Sequence, residues 1–147
     1  MDSNQLALKM KQHSIIYAAL GAGQLFAMLS FYMVRDVSGG AANEALVMPM
    51  QVAVVALIAG GIGAGFFLYN GKAKIAREAN LSVEKKLDVY RTATIIQWAL
   101  CEGPSLFCAV SFFMTGDATF LLFFGIALLF FLLKLRPSVE NFNRDFN

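Results

Sequence analysis

The chain has 147 residues, of which 58% are hydrophobic and 15% charged, with a formal net charge of +2 at pH 7. Soluble domains average about half apolar and a quarter charged. This balance excludes a disordered tail, a nucleic-acid module and a disulfide-stapled secreted domain, and points to an integral membrane protein whose first partner is the lipid bilayer.

Four apolar stretches follow one another: Ser14 to Val34, Leu46 to Tyr69, Thr92 to Thr115 and Ala118 to Leu135. Each is near the ~20 residues that a helical crossing needs. The runs are continuous rather than alternating, which argues for helices and against barrel strands. The expected fold is therefore all-α: one membrane domain over residues 1–147, a four-helix bundle of two similar helical hairpins. The run from Ile15 to Val34 is longer than the 7–15 residues of a signal-peptide core, so the first span is expected to be retained.

Lys and Arg set the orientation. Eleven of the twelve lie in the N-terminal arm, between spans two and three, or at the C-terminal end; Arg35 is the exception. Both termini are then expected on the cytoplasmic side, with a bacterial inner membrane as the location. Residues 70–91 form a basic cytoplasmic segment, read as helical extensions of spans two and three with a turn near Asn80. Pro137 should end the fourth helix. In the tail, 136–147, Val139, Phe142 and Phe146 recur at helical spacing, which predicts a short amphipathic turn anchored at the membrane interface.

Spans one and three look alike. Ile15 to Gly23 aligns with Ile95 to Gly103, and after one inserted residue Leu25 to Met33 aligns with Leu106 to Met114; five of nine positions are identical in each block. This internal repeat implies two hairpins of the same orientation. Span two is rich in small residues, with Gly60, Gly61, Gly63 and Gly65, which let helix backbones approach in lipid. It is expected to be the buried, packed helix, and oligomerisation is expected to run through it. Span four, rich in Phe and Leu, is expected to face mostly lipid.

Only the third span carries a carboxylate. Glu102 lies ten residues into it, roughly 15 Å deep by helix rise. A charge at mid-bilayer costs about 3 kcal/mol on insertion scales. Binding H⁺ or Na⁺ would relieve that cost, and so would protonation and bonding to another helix; a chance lipid-facing position is the third alternative. Ser105 offers a hydroxyl one turn away. Pro104 lacks an amide and frees the carbonyl of Leu100, while Gly103 loosens the turn, so a kink at Gly103 and Pro104 would expose oxygen ligands. Gln24 lies equally far into span one, and a Gln24–Glu102 hydrogen bond between the halves is expected. Glu102, Gln24, Ser105 and Leu100 are thus the candidate ion-binding residues.

Other groups carry no chemistry. His13, the single histidine, reads as an interfacial polar residue. Cys101 and Cys108 are two helical turns apart, roughly 10 Å, too far for a disulfide. No haem, zinc or hydrolase constellation exists, so neither catalysis, a metal nor any cofactor beyond H⁺ or Na⁺ is expected.

Gly61, Gly63 and Gly65, then Gly71-Lys72-Ala73, Ala76-Arg77 and Ala99-Leu100-Cys101-Glu102, resemble the proteolipid c subunit of rotary ATPases. In that family a Gly-rich helix, a basic loop and a helix with a mid-membrane acid follow one another, and the V-type members fuse two hairpins. The resemblance implies a ring-forming subunit of an ion-translocating complex with Glu102 as the H⁺ or Na⁺ carrier, although here the acid falls in the third span rather than the second or fourth. The chain also looks like one of the small four-span proteins of the bacterial inner membrane. Two further readings stay open: a structural or accessory subunit whose basic loop docks a cytoplasmic partner or anionic lipid, and a small ion-coupled transporter.

Overall fold

A computed structural model describes residues 3–38 and 43–146. Every regular element among them is helical: α1 (Ser3–Ser38), α2 (Glu44–Glu78), α3 (Val83–Thr115), α4 (Thr119–Lys134) and α5 (Val139–Phe146). Residues 39–42, between spans one and two, and the chain ends lie outside the described residues.

Three helices are long and apolar enough to cross a membrane: Asn4–Asp36, Glu44–Glu78 and Val83–Thr115. The fourth predicted span is shorter. With 16 residues, α4 rises about 24 Å, less than the ~30 Å of a bilayer core. It reaches four crossings only together with α5, from which it is bent by 76°. Residues 70–91 contain no long loop. Helix α2 runs on to Glu78 and α3 begins at Val83. The chain reverses where Asn80 takes a left-handed conformation (φ 45°), a role Asn fills at low cost.

The centre of the molecule belongs to α3. It packs against α1, α2, α4 and α5, whereas α1 and α2 make no contact with each other among the described residues. The first two spans therefore do not form a packed hairpin; each lies separately on α3. The expected burial of span two is also corrected. Half of the apolar window of α3 is buried, against 17% for α2. The reason is that glycine supplies close approach only on the face that meets a partner, and α2 has one partner face. Helix α4 buries a single stripe of Phe120, Phe124, Ala127, Leu128 and Phe131 and leaves Leu122, Ile126, Leu129 and Leu133 exposed.

Helices α1 and α3 run side by side in the same direction. His13 meets Thr94, 81 positions on, Tyr17 packs on Trp98, and Phe31 and Tyr32 reach Phe113 and Phe112. These offsets of 80 to 82 lie within one residue of the repeat's own 80 and 81, so the two similar helices lie nearly in register. Antiparallel α2 is fixed by Gly65 on Gln97 and Ser111 on Met50. A left-handed Gly116 (φ 72°) ends α3, its amide on Phe112 O at 2.7 Å. Beside it Arg35 donates to the carbonyl of Phe113, tying the end of α1 to that of α3.

One further expectation changes. The aromatic face of the tail is spent on the protein's own core rather than left free. The turn at Pro137 swings α5 back under the other helices, and Phe142 and Phe146 are completely buried with Met10, Tyr69, Leu87 and Tyr90. Three edge-on ring pairs, Tyr69 with Phe146 and Tyr90 with both Phe142 and Phe146, hold them there; of the three apolar residues at helical spacing only Val139 stays outside, 38% exposed. Aromatic pairs of this kind add about 0.5–1.5 kcal/mol each beyond burial. Cys101 and Cys108 are free and buried.

Candidate functional site

The α1–α3 seam carries the polar interior of the protein. Along α1, Met10, His13, Tyr17, Gly21, Gln24 and Met28 are buried at spacings of three and four, so they share one helical face. Along α3 the matching face holds Thr94, Trp98, Cys101, Ser105 and Cys108, all buried. Two aromatic donors fasten this seam to the end of α4: Tyr17 Oη donates to Phe131 O at 2.9 Å and Trp98 Nε1 to Leu135 O at 3.0 Å.

His13 is a core residue, which the sequence reading missed. It has no exposed surface, lies 2.5 Å from Thr94 Oγ1 through Nε2, and stacks on Trp98 with centroids 4.5 Å apart. Its Nδ1 has no hydrogen-bond partner among the described residues. The 10-13-17-21-24-28 spacing was the available signal, since it places His13 on the same face as Gln24.

Gln24 is the next polar group along this face of α1. It too has no exposed surface, and neither Nε2 nor Oε1 has a hydrogen-bond partner among the described residues. An amide left unsatisfied in an apolar interior costs about 1–3 kcal/mol per polar atom, and such groups usually mark a water, an ion or a functional demand. The register of His13 on Thr94 and Tyr17 on Trp98 puts Gln24 level with Ser105, whose hydroxyl is fully buried and donates to Cys101 O at 3.2 Å.

The expected Gln24–Glu102 hydrogen bond does not form. Counting from the ends of the spans placed the two at one depth, but the actual register sets Glu102 one turn away, and on the flank of α3 rather than on the buried face. Glu102 is half-buried, next to exposed Gly103, and makes no hydrogen bond or ion pair among the described residues. Leu100 diverges further. Its carbonyl, freed by Pro104, points at α2, where a Cβ on Gly61 would lie 2.2 Å from it. The four candidate ligands are thus dispersed: Gln24 and Ser105 lie at one level of the seam, Glu102 sits on its rim, and Leu100 faces α2.

No known family, curated protein or solved structure matches this chain.

The glycines divide as well. Gly61 and Gly65 lie against Leu100, Pro104 and Gln97, while Gly60 and Gly63 face open space. Helix α3 stays continuous through Gly103 and Pro104. A groove of about 430 Å³ runs between α2 and α3, lined by Gly60, Gly61, Ala99, Gly103 and Phe107 among others. Among the described residues no group of three or more His, Cys, Asp or Glu side chains is placed to hold a metal ion.

Proposed function

We propose that this is an integral membrane protein that binds a proton or a small cation such as Na⁺ within its helices, as a subunit of an oligomeric, proteolipid-like ion-translocating assembly. The observation that carries the proposal is Gln24: a fully buried amide with two unused polar atoms, beside the buried Ser105 hydroxyl and one turn from the only carboxylate in the spans. A cation or hydronium entering the seam would satisfy the carbonyl oxygen of Gln24, and Glu102 on the rim would exchange the proton or balance the charge. Half-burial of Glu102 on an apolar flank suits a face covered by a second copy, because a carboxylate left against lipid has to be protonated or paired.

The orientation, with both termini in the cytoplasm of a bacterium, rests on charge. Lys9 bridges to Glu84 at 3.3 Å and Arg77 reaches the Asp145 carbonyl at 2.8 Å, so the basic ends of α1, α2, α3 and α5 gather at one end. That is the distribution expected of a cytoplasmic face.

The test is ion flux into liposomes containing the purified protein. Glu102→Gln and Gln24→Leu are expected to abolish uptake driven by a pH or Na⁺ gradient. Carbodiimide is expected to label Glu102, with Na⁺ or high pH protecting it. Full flux in both variants would overturn the reading.

A second reading has its own support. The open groove between α2 and α3, with Gly60 and Gly103 on its walls, suits close approach of another helix. In that reading the chain is an accessory subunit and Glu102 is a protonated carboxyl bonded to its partner. Failure of carbodiimide labelling under every condition, with flux absent in the wild type, would favour it.

A further inference from the structure

At the foot of α4 lies a cavity of about 160 Å³, far above the ~15 Å³ that one water needs. Its polar wall comes from α2 with Asn70, α3 with Gln97, the close of α4 and the bend after it with Lys134 and Arg136, and α5 with Arg144 and Asp145. Above it the rings of Phe66 and Phe130 meet edge-on at 6.2 Å. The apolar cleft beyond them holds only about 10 Å³, so the cavity does not continue into the helices and suits a small ligand.

What it offers a ligand follows from which of its polar groups are already used. The one carboxylate on its wall, Asp145, accepts from Arg144 at 2.8 and 3.2 Å and from the Tyr69 hydroxyl at 2.8 Å. Thr94 donates to backbone carbonyls of its own helix, and Asn141 donates to Arg136 O at 3.2 Å. The side chains of Asn70, Gln97, Lys134 and Arg136 make no hydrogen bond or ion pair among the described residues. Gln97 stands out among them. It is 5% exposed, its stem lies against Gly65 of α2, and it forms part of the cavity wall. Buried amides are rarely left unpaired, so this one marks a ligand position. Two cations and two amides are therefore unused, and no carboxylate is. Such a set repels a cation and suits an anion with several acceptor oxygens.

We propose that the cavity binds one small soluble oxyanion, phosphate or a simple phosphate monoester, held by Lys134 and Arg136 with the amide hydrogens of Gln97 and Asn70. The dianion balances the two unpaired cations, and its oxygens match the guanidinium fork. Once bound, it joins α2 and α3 to the bend before α5 and so holds the tail in place. The inference does not use the ion site at Gln24 and Glu102.

Trp98, the single tryptophan, is the reporter, since its ring donates to Leu135 O and Leu135 lines the cavity. The full chain in phosphatidylcholine nanodiscs is titrated with sodium phosphate, against sodium chloride of equal ionic strength. Phosphate is expected to change Trp98 emission saturably and to raise the melting temperature, where chloride does neither. The double variant Lys134→Gln with Arg136→Gln is expected to weaken binding at least about tenfold, the scale of losing a hydrogen bond to a charged group. Both side chains are exposed, so the variant is expected to keep its fold, and unchanged helix content by circular dichroism checks it. Gln97→Leu keeps the bulk and every charge and is expected to weaken binding several-fold, which separates a seated anion from a diffuse ion cloud. A response no different from that of chloride, or full affinity in the folded double variant or in folded Gln97→Leu, would overturn the proposal. So would the same Trp98 change on adding phosphatidylglycerol to the discs, with phosphate then without effect, which assigns the cations to a lipid headgroup.

Discussion

Replacing Gly61 by alanine tests how α2 is seated on α3. The new Cβ would lie 2.2 Å from the carbonyl oxygen of Leu100 and 3.2 Å from Pro104 Cγ. A carbon and an oxygen cannot approach much below about 3.3 Å, the lower end of the weak C–H···O range, so the helices must part by about 1 Å. The obstacle is backbone, and no rotamer change relieves it. A gap of that size forfeits a quarter to a half of the dispersion energy across the contact, and overpacking of this kind costs about 1–3 kcal/mol. Against that, alanine is the better helix former by up to ~1 kcal/mol. The net expectation is a loss of about 1–2 kcal/mol, with Gly60→Ala and Gly63→Ala neutral or slightly stabilising because nothing lies within 4 Å of either. Gly65→Ala falls between, since its nearest neighbour, Gln97 Cγ at 3.2 Å, belongs to a side chain. The assay is reversible unfolding in mixed micelles, followed through the fluorescence of Trp98. The reasoning fails if Gly61→Ala unfolds with the wild type, or if Gly63→Ala is as damaging as Gly61→Ala.

The docked tail makes two more predictions. Phe146→Ala is expected to cost about 3–5 kcal/mol of local stability, as for other buried phenylalanines, and to release α5 to protease under conditions where the wild-type tail is intact; equal cleavage would mean that the tail is not seated among Tyr69, Tyr90 and Phe142. Burial raises the Asp145 carboxyl, but hydrogen bonds from Arg144 and Tyr69 and the charges of Arg144 and Arg77 outweigh it and hold it below its ordinary 3.8. The sign follows: a carboxyl with a depressed folded value stabilises the protein above pH 3.8 and loses that contribution as pH falls through the folded value. The melting temperature of the wild type is therefore expected to fall more steeply than that of Asp145→Asn between about pH 5 and pH 2, and parallel curves would refute the assignment.

Much of the helical content was legible because its signals are local. Span positions follow from runs of apolar residues, the reversal at Asn80 from turn chemistry, and the stop at Pro137 from a missing amide. Glu102 stood out for the same reason: a carboxylate among apolar neighbours is visible without knowing what packs on it. The partner expected for it was wrong because depth was counted from the ends of the spans. Register between two helices is set by which side chains interlock, and His13 on Thr94 and Tyr17 on Trp98 shift Gln24 to Ser105. The glycines show the same limit. Composition marks α2 as able to pack closely, but not that Gly61 and Gly65 meet α3 while Gly60 and Gly63 face outward.

By itself, then, the sequence determined an all-helical chain with several helices long and apolar enough to span a membrane, its basic residues sorted between them, and a repeat relating the first and third. These are one-dimensional properties, carried by hydropathy and spacing along the chain. Only the tertiary structure decided that α3 is the centre, that α1 and α2 do not pack on each other among the described residues, that His13 is interior, and that the tail returns to bury Phe142 and Phe146. Each of these depends on which faces of distant segments meet. In helices that are apolar nearly all round, the pattern does not single out the buried face; the few polar and small side chains, and the packing between them, do.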